Sequence, residues 1–218
     1  MTSIAILGGT GRQGRGLAQR FAHAGARVIV GSRDPERARA TVAGWGSTGE
    51  PIDVASYTAA VGLSDVIVLA VPFTSADALL EELRPSLGDG TVVIDVTVPV
   101  TFEGGKMAML EVAEGSASEH IRARLPAGVG LAAAFKTIPA EVLGQGNDPL
   151  ECDEFVCGDS DHARARAIAL VELLPGLRPV DVGPLSRARS IEHLTALAIA
   201  INRRHKIHDA RFRIVGLT

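Results

Sequence analysis

Gly9-Thr10-Gly11-Arg12-Gln13-Gly14 follows directly on the apolar run Ile4–Leu7, and glycines at that spacing behind a buried-strand pattern suit one task above others, holding a pyrophosphate. Gly9 supplies a turn that a side chain would obstruct, Gly11 lets the backbone approach the phosphates, and Gly14 lets the next helix lie close on the sheet. The unpaired amides at the start of that helix, around Arg12 and Gln13, present partial positive charge to the anion. A dinucleotide is therefore the expected ligand. The second strand pattern, Arg27–Val30, indicates which one. An acid at its end would hold the ribose hydroxyls, but the sequence there is Gly31-Ser32-Arg33. Asp34 precedes Pro35, the pairing of an N-cap with a first helical residue, so Asp34 is expected to serve the helix. Thr10, Ser32, Arg33 and Arg37 remain, and hydroxyls with guanidiniums suit a 2′-phosphate. NADP is expected over NAD.

At three places where an apolar run ends, a branched aliphatic stands beside a proline: Val71-Pro72, Val98-Pro99 and Ile138-Pro139-Ala140. Ligands of doubly wound folds lie at the carboxyl ends of the strands, so Val71, Pro72, Val98, Pro99, Ile138 and Ala140 are expected to wall a flat nicotinamide ring. Prolines also end strands for local reasons; the threefold repetition favours a site. Lys136 directly follows Leu131–Phe135, where a charge beside a buried strand needs a reason, and is the candidate for stabilising charge on a reacting ring. Arg189 and His193 share a face of the last helical pattern, with Thr195 two residues on. With Lys136 they are the candidate contacts to a second substrate, although a lone helical histidine more often packs or faces solvent. No serine nucleophile elbow, histidine-rich metal signature or isolated carboxylate pair occurs, and no metal is expected.

These residues need a scaffold in which strands alternate with helices. Helical spacing covers 13–24, 35–43, 54–61 and 76–83; the apolar runs at 65–71 and 91–96 read as strands buried on both faces. Residues 101–115, with paired Gly104-Gly105, read as an irregular segment at a strand's carboxyl end. A helix at 116–124 and strands at 130–135 and 154–157 follow. Asp159 is the expected cap of a helix over 160–174, followed by a strand at 177–182 and a helix from Pro184 to about Arg203. The pattern gives an α/β fold, a Rossmann-like doubly wound parallel sheet with a smaller, mainly helical C-terminal part. The boundary is expected at 140, with 1–140 holding the dinucleotide and 141–218 closing the substrate cleft.

Composition narrows the partners. The 218 residues carry a net charge of −3, with arginines scattered among acids, which argues against nucleic acid. No basic-then-apolar leader precedes the first strand pattern and no apolar stretch has the length of a membrane span, so a cytoplasmic protein without a membrane partner is expected. Cys152 and Cys157 have neither redox nor zinc spacing. Aromatics make up only 4% of the chain, so planar ligands are expected to stack on aliphatic surface.

One family carries these stretches in combination. The glycine segment Gly8-Gly9-Thr10-Gly11-x-x-Gly14-x-Gly16-Leu17-Ala18, then Val30-Gly31-Ser32-Arg33, Val71-Pro72, Val98-Pro99-Val100, Thr137-Ile138-Pro139-Ala140, Val156-Cys157-Gly158-Asp159 and Gly176-Leu177-Arg178-Pro179 through Gly183-Pro184-Leu185 to Glu192, Leu194 and Thr195 resemble the NADPH-dependent F420 reductases over essentially the whole chain. The resemblance implies hydride transfer between NADPH and the deazaflavin coenzyme F420, with the deazaflavin stacked on the nicotinamide. It implies that Thr10, Ser32, Arg33 and Arg37 grip the 2′-phosphate, and that the protein is a homodimer. Arg189 and Thr195 resemble deazaflavin-side contacts. The family usually has His where Lys136 stands and a small polar residue where His193 stands. Two other readings stay open: a reductase of another acceptor, a flavin or a small imine or carbonyl compound, with Lys136 as proton donor; and a non-catalytic NADP-sensing module.

Overall fold

Strand β1 (Ser3–Leu7) alternates its side chains between two fully covered faces, with Ile4 and Ile6 packing into one core and Ala5 and Leu7 into the other. The computed structural model describes residues 2–46, 49–104 and 106–217; Gly105 lies outside them. On one side of β1 come β2 (Arg27–Ser32) and β3 (Ile52–Ser56), and on the other β4 (Val66–Leu69), β5 (Val92–Asp95) and β8 (Gly130–Ala133), all parallel. Helices α1 (Arg12–His23) and α7 (Asp161–Glu172) cover one face through Leu17, Phe21, Ala167 and Leu170. Helices α3 (Tyr57–Gly62), α4 (Ala76–Leu83) and α5 (Ala117–Arg124) cover the other. The order around β1 and β4 reverses there, so a ligand crevice opens at the carboxyl ends of these two strands.

The short helix α6 (Ala140–Leu143) packs against α1, whose buried Arg20 donates to the carbonyls of Val142 and Leu143 at 3.0 Å. Strands β9 (Cys152–Gly158) and β10 (Leu177–Pro184) continue the same sheet past residue 140, giving the order β10-β9-β8-β5-β4-β1-β2-β3. β9 joins β8 antiparallel, so the last two strands run against the other six and the sheet is mostly rather than wholly parallel. The long helix α8 (Ala188–His205), entered through a 3-10 turn at Leu185–Arg187, ends the C-terminal part.

Three local expectations change. The 54–61 segment divides into the end of edge strand β3 and the helix α3, which is capped by Ser56 accepting from the Ala59 N–H. The 101–115 segment contains an antiparallel hairpin, β6 (Val100–Glu103) with β7 (Lys106–Met109), which forms a sheet of its own. The cap of α7 is Ser160, whose hydroxyl accepts from the Ala163 N–H; Asp159 instead binds the Leu131 N–H at 3.1 Å and Arg122 at 2.7 Å. Asp34, by contrast, caps α2 (Pro35–Ala43), accepting from the Arg37 N–H at 3.0 Å.

Candidate active site

Between β1 and α1 the glycine loop is built from close backbone approaches. Gly8 takes φ +83°, and a Cβ there would lie 2.7 Å from the Ala70 oxygen. A Cβ on Gly14 would lie 2.6 Å from the Gly8 oxygen and 2.7 Å from the Gly9 Cα; one on Gly9 would meet Val30 at 2.9 Å. Gly11 is exposed and caps α1 without a side-chain hydrogen bond, and no acid stands in the first turn. The first amides of a twelve-residue helix thus face an exposed glycine, which fits a pyrophosphate. Arg12 pairs with Glu141. Gln13 turns its amide the other way, donating to the carbonyls of Phe135 at 2.8 Å and Ile138 at 3.3 Å, and so ties the loop to the end of β8.

Beside the loop, at the end of β2, the Ser32 hydroxyl donates to the Asp34 carbonyl and accepts from the Asp34 N–H, which fixes the turn. Arg33 hydrogen-bonds Tyr57. Arg33, Arg37 and Thr10 are exposed, and neither guanidinium forms an ion pair among the described residues. Two unneutralised guanidiniums with two hydroxyls at this strand end fit the 2′-phosphate of NADP.

From Gly11 a cleft of about 890 Å³ runs over the carboxyl ends of β4, β5 and β8 and under α8. Val71, Pro72, Val98, Ile138 and Ala140 line it, and Phe102 of the free hairpin stands 63% exposed at its mouth. Pro99 does not line it: that residue is buried, and its carbonyl accepts from the Leu110 N–H to close the base of the hairpin. From α8 come Thr195, Ala198, Ile199 and Asn202. Their spacing, i, i+3, i+4 and i+7, is one helical stripe. Thr195 donates to the Lys136 carbonyl at 2.9 Å. Arg189 and His193 share a face as the sequence suggests, but it is the opposite one, since successive residues turn about 100°. Both are exposed, and the His193 ring bonds the Arg189 carbonyl at 2.7 Å, outside the cleft. Asn202, Arg203, Lys206 and His208, which also line the cleft, were legible only through that stripe and its continuation.

Lys136 has a different occupation from the one the sequence suggested. Its side chain is wholly buried, with Nζ 2.7 Å from Asp95 and 3.3 Å from Glu192 and donating to the Thr97 carbonyl. Burial works to lower the ammonium's pKa, but the two carboxylates outweigh it and hold the group above its ordinary value. Asp95 also accepts from the Ser118 hydroxyl at 2.6 Å and the Thr97 N–H at 2.8 Å, and Glu192 from the Ala117 N–H at 3.1 Å. The cluster joins β5, the end of β8, α5 and α8 beneath the cleft floor. With its three donors directed inward, the ammonium is not placed to stabilise a reacting ring or to give it a proton.

The turn that carries Lys136 is strained. Phe135 is fully buried at φ +58°, a conformation that costs a residue with a Cβ about 1–2 kcal/mol. It is held by Gln13, by an edge-on contact of its ring with Phe21 at 5.7 Å, and by Glu154, which accepts from the Lys136 N–H at 3.1 Å and the Thr137 hydroxyl at 3.0 Å. Glu154 is itself fully buried, and burial pushes its carboxyl up to about 7 against those hydrogen bonds. In the unfolded chain a glutamate titrates near 4.3. Below that value both states hold the proton and the site costs nothing. Between there and about 7 the folded state binds more protons, so stability falls as pH rises, and the full cost, about 4 kcal/mol at most, is present above 7. Glu154→Gln can keep both contacts, accepting from the N–H and donating to the Thr137 oxygen. Urea midpoints measured from pH 5 to 8 are expected to fall less steeply for this variant than for the parent; parallel slopes would show that Glu154 does not carry the dependence.

The family model for NADP oxidoreductase, coenzyme F420-dependent, matches residues 3–99. A relative from Methanothermobacter thermautotrophicus called F420-dependent NADP reductase is 38% identical over 98% of this chain and 95% of its own. The chain belongs to the F420-dependent NADP reductases. Another member, from Methanocaldococcus jannaschii, is 32% identical over 98% of both chains. The fold is shared by a solved structure from an Arthrobacter species, described as a candidate F420-dependent NADP reductase, at a TM-score of 0.84 and 24% identity over 99% of this chain and all of that one. The mostly parallel sheet and the helical C-terminal part are thus those of this family. No helix among the described residues is long and apolar enough to cross a membrane.

Proposed function

We propose that the protein is an oxidoreductase passing a hydride between NADPH and coenzyme F420. The observation that carries this reading is the continuity of one cleft: it starts at the uncapped end of α1, runs between Val71, Val98 and Ile138, and ends under the α8 stripe. In its middle the walls are aliphatic. Hydride transfer between two carbon centres asks the protein for little beyond placing two rings face to face and excluding water, and these walls suit that task. Residues 1–140 would hold NADP and 141–218 would close the cleft over the second coenzyme. Within the proposal the protein is a cytoplasmic homodimer; Leu197, half exposed on α8, offers apolar surface for a partner copy.

Mixing the protein with NADPH and oxidised F420 under anaerobic conditions is expected to bleach the deazaflavin's visible band as NADPH is consumed; NADPH retained with the band intact overturns the reading. The nucleotide preference tests the residues at the end of β2. Replacing Arg33 and Arg37 by Ser together removes two charge-assisted contacts and is expected to weaken NADPH about 100-fold, with NADH nearly unaffected. Calorimetry decides: equal losses for both nucleotides would mean that neither arginine reads the 2′-phosphate.

A further inference from the structure

Where α8 ends, the cleft is lined by the basic side chains of Arg203, Lys206 and His208, and none of them is among the groups fitted to the nucleotide's phosphates. None of the three forms an ion pair among the described residues, and the acid lining the cleft, Glu141, is taken by Arg12. Basic residues commonly gather at helix C-termini, where they complement the dipole, and Arg204 and His205 answer to that description without lining the cleft. The other three are positioned by a built turn. Lys206 adopts φ +56° as the C-cap of α8, the Asn202 carbonyl accepts from the N–H groups of Lys206 and Ile207, and the Asn202 side chain accepts from the Ala210 N–H at 2.9 Å. A left-handed conformation at a residue with a Cβ is unfavourable, and here it folds 206–208 back along the cleft. The groups fitted to the pyrophosphate and the 2′-phosphate of NADP are other ones, the amides at the α1 terminus and Thr10, Ser32, Arg33 and Arg37.

We propose that Arg203, Lys206 and His208 form an anion subsite for the phosphate and carboxylate groups on the side chain of the second substrate, whose ring lies in the aliphatic middle of the cleft. The assignment rests on the F420 reading, since that coenzyme carries a phosphodiester and glutamate residues beyond its ribityl-deazaflavin.

The test compares intact F420 with the ribityl-deazaflavin that lacks phosphate and glutamates, by KM and by equilibrium fluorescence titration of the NADP-loaded protein. At low salt the parent protein is expected to prefer the intact compound about tenfold, the size of two or three exposed charge contacts. Replacing Arg203 and Lys206 by Gln together should bring the two compounds to near equality, and high salt should do the same to the parent. An unaltered preference in the variant, no preference in the parent, or a matching loss of NADPH affinity overturns the subsite. If neither compound is reduced but the binding preference exists and disappears in the variant, the subsite stands and the hydride-transfer reading falls.

Discussion

Lys136→Met is expected to unfold some 10 °C or more below the parent protein. The substitution keeps length and apolar bulk but leaves Asp95 and Glu192 facing each other in a space without solvent, and removing one partner of a buried ion cluster costs about 3–5 kcal/mol. In a chain of this size each kcal/mol moves the midpoint by roughly 2–4 °C. A second substitution separates lost attraction from lost packing. Adding Glu192→Gln to Lys136→Met removes one stranded charge, while Asp95 keeps its bonds from Ser118 and Thr97, so the double variant should regain a good part of the loss. A double variant no more stable than Lys136→Met would place the cost in packing. Because Nζ is directed into the cluster, turnover in Lys136→Met measured well below its midpoint is expected to be slowed and not abolished, whereas abolition would point to a proton donor.

Gly14→Ala is expected to weaken NADPH binding about 100-fold or more, equivalent to roughly 2.7 kcal/mol, while the fold persists. The added methyl would sit 2.6 Å from the Gly8 oxygen and 2.7 Å from the Gly9 Cα. Both neighbours are backbone, so the loop itself must move, and with it the amides at the start of α1. Gly62→Ala is the control: nothing lies within 4 Å of a Cβ there, and a helical alanine should leave binding alone and raise stability slightly. Calorimetric titration with NADPH reads both variants; Gly14→Ala binding as the parent does would show that the loop tolerates the shift.

The parts of this molecule governed by local rules were legible in the sequence. The glycine loop, the Asp34 cap and the two-faced strands β4 and β5 each follow from a few neighbouring residues, and the structure places them accordingly. Where two periodicities meet in a short stretch, as in Ile52 to Val61, the shift from strand to helix was hidden. The direction of β9 was not readable, because a short apolar strand pairs either way and only its neighbour decides. At Lys136 the sequence showed that a buried charge needed a partner, but the partners stand 41 and 56 residues away. On α8 the conspicuous side chains Arg189 and His193 drew attention from the quieter stripe that runs on from Thr195 through Ala198, Ile199 and Asn202, and it is this stripe, Thr195 included, that lines the cleft.

The walls of the cleft come from opposite ends of the chain, Gly11 to Gln13 on one side and Thr195 to His208 on the other. Ribosomes add roughly 5–20 residues per second, and N-terminal units fold first. The nascent protein therefore exposes its glycine loop on the order of ten seconds or more before the covering helix emerges. During that interval the loop is an open shelf, and the cleft gains its cover only once α8 has been made.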